Sequence, residues 1–329
     1  MPFCEADPWR MQYFERVECP RDVRIPTEDP DAYQWNPAHR HIYNKLFVAE
    51  SQGIACAPHG VTPPEFPVFS KPIVNLRGMG VGSLVLTDLA HYQQHLTAGH
   101  FWMTLLTGEH VSSDVAIERG RARWWRHCRG VPAGEGRFDY WTIEAVERVA
   151  LEAYIGEWVA QHLAGYTGML NLESIGGRII EAHLRLADQW PDLYGEGWLE
   201  AVVGLYQHRR WKFADGRRSS GYSLALFGPH GREYRRPPAE LVAEVRRMPQ
   251  VSSVQITFHT DRPAAAHAMP PGGFRLAVVN SFDLEAGRAA RARLATLFGL
   301  TDDARDARDA PDARDARGSL TRAAGLPST

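Results

Sequence analysis

Residues 168–185, GMLNLESIGGRIIEAHLR, leave the chain little choice of local structure. Two short apolar runs flank Gly176-Gly177, a pair suited to a tight hairpin turn. Glu173 stands on the first arm and Glu181 on the second, so both carboxylates can converge on one face. His183 and Arg185 follow Glu181 at alternate positions and share its face in an extended arm. Leu170, Leu172, Ile179 and Ile180 argue that the hairpin is partly buried, and two buried carboxylates repel unless something positive lies between them. Hard divalent cations such as Mg²⁺ take oxygen ligands of this kind, together with substrate phosphates. Under that reading, removing one of the two charges raises the melting temperature of the unliganded chain. The alternative is an exposed hairpin with solvated charges.

A second constellation precedes it at 66–83, FPVFSKPIVNLRGMGVGS. A strand presents Lys71, and Gly78, Gly80 and Gly82 allow backbone N–H groups to close on phosphate oxygens. No Gly-Lys-Ser/Thr ends the loop, so it is not a P-loop, and its third glycine comes too early for a dinucleotide fingerprint. A flexible surface hairpin is the plain alternative. Of 37 basic residues only Lys45, Lys71 and Lys212 are lysines. A lysine that survives such a bias either marks a need for a compact ammonium or stands there by chance.

The chain has 329 residues, 44% hydrophobic and 23% charged, which is ordinary globular composition. No run approaches the roughly 18–20 apolar residues of a membrane helix. The acidic, proline-broken start lacks the features of a signal peptide, so a cytoplasmic protein is expected. A net charge of −2 gives no electrostatic reason to expect nucleic acid. Cys4, Cys19, Cys56 and Cys128 lack CxxC spacing and read as free thiols. The fourteen histidines, His91 and His95 among them, make no zinc pattern.

Along the chain, 1–40 is an N-terminal extension with a strand at VRIP. A helix is expected over 41–53, strands at PVFSKPIVN, SLVLT and FWMTLL, and a hairpin turning at Arg119-Gly120. VPAGEGRFD reads as a loop and 141–164 as the longest helix. From 201 to 300, strands YSLALFG, SSVQITFHT and FRLAVVNSF with two helices read as a small α+β unit. The Asp-Ala-Arg repeat at 301–329 has too few large apolar residues to fold and reads as a disordered tail.

YNKLFVAESQGI, FPVFSKPIVNLRGMGV, FWMTLLTGEHVSSDV and YTGMLNLESIGGRIIEAHLR, in that order over about 41–200, resemble the ATP-grasp superfamily. The glycine loop is most similar to biotin-carboxylase-like members. The resemblance implies an α+β fold in which two subdomains grip a nucleotide. By the same resemblance, Lys45 and Lys71 contact ATP phosphates and Gly78, Gly80 and Gly82 form the loop over the triphosphate. Met103 and Leu105 lie on the hinge strand that meets adenine. His110, or its neighbour Glu109, meets the ribose. Glu173, Glu181 and His183 hold Mg²⁺, or Mn²⁺ in its place, and Arg185 with His183 faces the reacting anion.

The chain also departs from that pattern. His183 stands where the family has Asn. Gln189 stands where a biotin carboxylase has a Glu acting in bicarbonate chemistry, and no biotin-carrier lysine motif is present, so biotin carboxylation is rejected. The 40-residue extension is shorter than the Rossmann-like domain that many members carry. The expected activity is an ATP-dependent carboxylate–amine ligase that proceeds through an acylphosphate. A kinase-like phosphotransferase and a nucleotide-binding protein without turnover stand as alternatives. The expected partners are small-molecule carboxylates and amines, with no nucleic acid and no membrane. A homodimer is among the expected assemblies. Asp188, Gln189 and Trp190 line the acceptor pocket or form a plain loop. Arg121, Arg123, Arg126 and Arg129 bind an anionic substrate or form the outer face of a hairpin.

Overall fold

Alternating apolar and polar residues build two antiparallel sheets, and the computed structural model describes them over residues 3–300 except 19 and 217. The repeat at 301–329 lies outside the described residues. The chain opens with β1 (Phe3–Cys4), α1 (Met11–Phe14), β2 (Ile25–Pro26) and α2 (Asp29–Trp35), with β1 and β2 paired in parallel. Next come α3 (Lys45–Glu50), β3 (Cys56–Pro58), β4 (Val68–Pro72), β5 (Leu84–Leu86), α4 (Leu89–Gln94) and β6 (His100–Thr104). Their strands form a four-stranded sheet in the order β3-β6-β4-β5.

The larger sheet contains β7 (His110–Glu118), β8 (Arg121–Gly134), β9 (Arg137–Ile143), β10 (Gly168–Ile175), β11 (Arg178–His183), β12 (Gly221–Gly228), β13 (Val251–Ile256) and β14 (Phe274–Ser281). Its order is β11-β10-β7-β8-β9-β12-β14-β13. Helices α5 (Val149–His162), α6 (Trp198–His208), α7 (Ala239–Arg246) and α8 (Leu284–Leu297) complete the chain. On one face, Ile155, Trp158 and Val159 of α5 pack on Val115, Ile117, Leu170, Leu172 and Ile179. A second core joins Trp124, Trp141, Trp190, Tyr194 and Trp198 to Phe3 and Phe14 of the extension. That burial anchors the N-terminal segment to the sheet by the hydrophobic effect.

The hairpin turn at Arg119-Gly120 is present, with φ of 51° and 76°. Three expectations need correction. The helix expected over 141–164 starts only at Val149, because Trp141 and Ile143 belong to β9 and pair with Gly130 and Cys128 of β8. Phe138, Tyr140 and Trp141 suit a pleated surface, and an apolar helix directly after them hid the change of period. VPAGEGRFD is not a loop but the end of β8 and the start of β9, turning at Glu135 and Gly136 with φ of 52° and 76°. The helix expected over 41–53 is split. A 3₁₀ turn at Arg40–Tyr43 precedes Asn44, whose side chain accepts the Phe47 N–H at 3.0 Å and caps α3. The C-terminal strands and helices occur as expected, but β12 pairs with β9, so the three strands extend the larger sheet.

Candidate active site

The Gly176-Gly177 turn joins β10 to β11, both glycines having positive φ. Glu173 and Glu181 stand directly opposite each other, with a bulge just after Glu173. Side chains alternate across the sheet, so His110, Ser112 and Asp114 of β7 share this face with Asn171 and Glu173 of β10. The contacts agree: His110 Nε2 is 2.7 Å from Glu173 Oε2, and Asn171 donates to Ser112 Oγ and Asp114 Oδ1, each at 2.9 Å.

Both lysines meet β11. Lys45, in the first turn of α3, pairs through Nζ with Glu181. Its backbone N–H donates to Ile73 O at 2.8 Å, which ties α3 to the end of β4. Lys71, 4% exposed, donates from Nζ to Ile180 O at 2.8 Å. Burial, then the neighbouring Lys45 charge, pulls its pKa down to about 8 against Glu181 and Glu173. Burial alone would raise the Glu181 pKa, but Lys45, His183 and Lys71 outweigh it and hold the carboxylate well below its usual range.

Asp29, at the head of α2, is the hub of the site. Its carboxylate accepts from His183 Nδ1 at 3.0 Å and from Arg185 Nε and Nη2 at 2.8 and 3.1 Å. Burial opposes its charge, but Arg185 and His183 keep it ionised. Burial likewise pulls the His183 imidazole down, yet Asp29 and Glu181 raise it to about 9. Arg185 also donates to Leu186 O at 3.1 Å, so two of its five N–H groups are left for another anion. Buried Asp114 pins the segment after β11 by accepting from Ala187 N at 2.9 Å and Tyr194 OH at 2.8 Å.

The structure thus brings Lys45, Lys71, His110, Glu173, Glu181, His183 and Arg185 together. Glu109 does not join them: it is largely exposed and pairs with Arg148 at 2.8 Å. Gly78, Gly80 and Gly82 have φ of 66°, 64° and 78° and lie between β4 and β5, braced by Asn75 Nδ2 donating to Gly78 O at 3.1 Å. Met103 is a core residue packed with Phe101 and Ala49, and Leu105 is partly buried just past β6, where the chain leaves the smaller sheet.

The three residues of the expected metal set are not drawn to one point. Glu173, Glu181 and His183 do not gather their ligand atoms within 4.8 Å of one another. Glu173 turns to His110, and His183 meets Asp29 through Nδ1, which leaves its Nε2 3.8 Å from Glu181 Oε1. The two opposed carboxylates, with two ammonium groups beside them, do fit a hard cation that brings its own anionic ligands. Because Glu181 neutralises Lys45 and abuts His183, the structure supports the opposite expectation for its removal, a lower melting temperature of the unliganded chain. Arg126 is no surface anion binder: it is 1% exposed and salt-bridged to Asp215 at 3.1 Å.

Asp29 escaped the sequence reading because its partners lie 154 and 156 residues away. The nearest signal was the acidic start of a Pro-containing helix at TEDPDAYQW.

No protein-family model and no curated protein matches the sequence. Solved structures do match. An L-amino acid ligase from Bacillus licheniformis has a TM-score of 0.60 at 12% identity, with 88% of this chain and 82% of that one covered. A phosphoribosylamine–glycine ligase from Thermotoga maritima gives 0.56 at 14% identity, covering 87% and 85%. A carboxyaminoimidazole ribonucleotide synthase from Aspergillus clavatus, complexed with ATP, gives 0.52 at 11% identity, covering 81% and 75%. The chain shares the overall fold of these ligase and synthase structures, the ATP-grasp fold expected from its sequence.

Proposed function

We propose that the chain is an ATP-dependent ligase that joins a carboxylate to an amine. One observation carries the reading: Lys45 and Lys71 from the smaller sheet's side converge on the face of β10 and β11 that bears Glu173 and Glu181. Opposite charges at so buried a place suit a polyphosphate, whose oxygens would take the ammonium groups. Glu173 and Glu181 would hold Mg²⁺ or Mn²⁺, which, when bound with ATP, neutralises charge on the phosphates. The Gly78–Gly82 loop offers backbone N–H groups to the triphosphate, and the segment from Met103 to Leu105 offers backbone to the base. His110, held on Glu173, is the better placed of the two ribose candidates.

Arg185 has its fork fixed by Asp29 and keeps two N–H groups for the substrate carboxylate. His183 shares Asp29 with that fork and so helps to orient it. Phosphoryl transfer to the carboxylate breaks the terminal P–O bond of ATP and forms an acylphosphate. The amine nitrogen then attacks the acyl carbon and phosphate leaves, so no protein nucleophile is needed. The solved L-amino acid ligase and glycine ligase support a C–N bond-forming outcome.

The test is ADP and phosphate release over a panel of amino acids and amines. Release that requires both a carboxylate and an amine is expected. Release with a carboxylate or alcohol alone would indicate phosphotransfer, and no release with any pair would refute the reading.

A further inference from the structure

The far edge of the larger sheet carries a recess that the ligase chemistry does not use. β13 is the last strand there, seven strand spacings of about 4.8 Å from β11 and its carboxylate. Between this edge, α7 and the N-terminal extension lies a cavity of about 240 Å³. Trp9, Pro237, Val242, Val254 and Ile256 give it apolar walls, and no Asp or Glu lines it. Gln12 Nε2 and Arg246 Nη2 both donate to Val254 O at 3.2 Å. That carbonyl of the sheet edge is therefore already taken, which favours a small ligand over an added strand.

Two cations border this space without a counter-ion. Arg236 makes no hydrogen bond and no ion pair among the described residues. Arg246 gives one N–H to Val254 O and has no carboxylate partner among them. Arg126, Arg148 and Arg291, by contrast, each hold a carboxylate. What separates Arg236 and Arg246 from other unpaired surface arginines is that they share one apolar recess. The surrounding unit adds to the field, because residues 201–300 hold fifteen Arg and Lys against seven Asp and Glu in a chain of net charge −2. Trp9 is 7% exposed, and its Nε1 has no hydrogen-bond acceptor among the described residues. A buried donor left in that state calls for an acceptor.

Unpaired guanidinium groups suit an oxyanion, which a fork of N–H donors grips at two oxygens. The indole and the branched side chains suit a flat apolar body. The volume lies below the roughly 300 Å³ at which pockets for drug-sized ligands begin, so that body is small.

We propose that this cavity binds a small aromatic oxyanion, a single ring bearing a carboxylate or a phosphate, at a site separate from the nucleotide. Binding there does not rest on the ligase reading. Trp9 and Gln12 come from the N-terminal extension and the other lining residues from the C-terminal strands and helices, so the ligand would also tie the two together.

Calorimetric titration of the full chain with benzoate, phenyl phosphate, benzyl alcohol and acetate tests it. Benzoate or phenyl phosphate is expected to bind, the tighter of the two identifying the anion, with benzyl alcohol and acetate at least tenfold weaker. Arg236→Ala removes a side chain that bonds to nothing in the fold and should weaken the aromatic anion at least tenfold. Ala243→Phe, which fills the recess and keeps both arginines, should abolish binding. Both variants should keep ATP affinity within about twofold, and saturating Mg²⁺–ATP should leave the anion's affinity unchanged. The proposal is overturned if neither aromatic anion binds better than benzyl alcohol, or if both variants keep wild-type affinity for it. It is also overturned if ATP displaces the anion, which would put the anion on the lysines of the nucleotide site. A chain that binds the aromatic anion but not ATP would overturn the ligase reading and leave this site standing.

Discussion

Replacing Asp29 with Asn should destabilise the chain in a pH-dependent way whose size follows from the hub geometry. Asp29 is 4% exposed and is the shared anion of His183 and Arg185. The amide keeps the shape but leaves two buried cations facing each other. Uncompensated buried charge costs about 3–5 kcal/mol, and that is the loss expected at pH 6. His183 can relieve it by releasing its proton. In the wild type its folded pKa is raised from 6.5 to about 9. The folded state therefore holds a proton that the unfolded chain has lost across that interval, so wild-type stability is full below 6.5 and falls as pH rises through 9. At about 1.4 kcal/mol per pH unit, the fall is on the order of 3 kcal/mol. Without Asp29 the imidazole is neutral well before pH 9 and that slope disappears. The difference between the two proteins should shrink to about 0–2 kcal/mol at pH 9.5. Urea denaturation of both proteins at pH 6 and pH 9.5 gives the four numbers needed. Other groups titrate in both proteins and cancel in the difference. A penalty for Asp29→Asn that is equal at the two pH values would refute the His183–Asp29 coupling.

Lys71→Met should raise the melting temperature at pH 7 while weakening ATP at least tenfold, about 1.4 kcal/mol by calorimetry. The stabilisation arises because the folded Lys71 pKa is lowered from 10.5 to about 8, so the wild type is penalised at neutral pH and regains stability as pH climbs toward 10.5. The variant's gain should therefore fade between pH 8 and 10.5, and a gain constant with pH would contradict it. Gly176→Ala and Gly177→Ala should separate in a denaturation series. A Cβ at Gly176 would lie 2.3 Å from Thr107 O, whereas at Gly177 it meets nothing within 4 Å. Gly177→Ala should lose only the positive-φ cost, about 1–2 kcal/mol, and Gly176→Ala clearly more.

The hairpin and the two lysines were legible because their signals are local: a Gly-Gly pair between apolar arms, and rare lysines before a glycine loop and at a helix head. The element order from 221 to 300 was legible for the same reason. What escaped depends on distant pairing. Nothing near Tyr222 reveals that its strand pairs with β9 and extends the larger sheet. The same holds for Asp29 and Arg10, whose partners His183, Arg185 and Asp188 are more than 150 residues away. The bond from His183 to Asp29 was hidden for the same reason, since no local pattern joins residues 154 apart. Glu109 and His110 could not be ranked from sequence, since strand alternation settles which one faces Glu173 only once the register is fixed.

The central claim is that nucleotide sits between the two lysines and the β10–β11 carboxylates. The most direct test is the melting temperature of the wild type and Glu181→Gln, each with and without Mg²⁺–ATP. A ligand stabilises only the state that binds it, by about 2.7 kcal/mol at a hundredfold excess over Kd. The unliganded variant should melt below the wild type, because Lys45 and His183 lose their shared anion. Mg²⁺–ATP should then raise the wild type by several degrees and the variant by little or nothing. Equal ligand-induced shifts in the two proteins would take Glu181 out of the site and contradict the account.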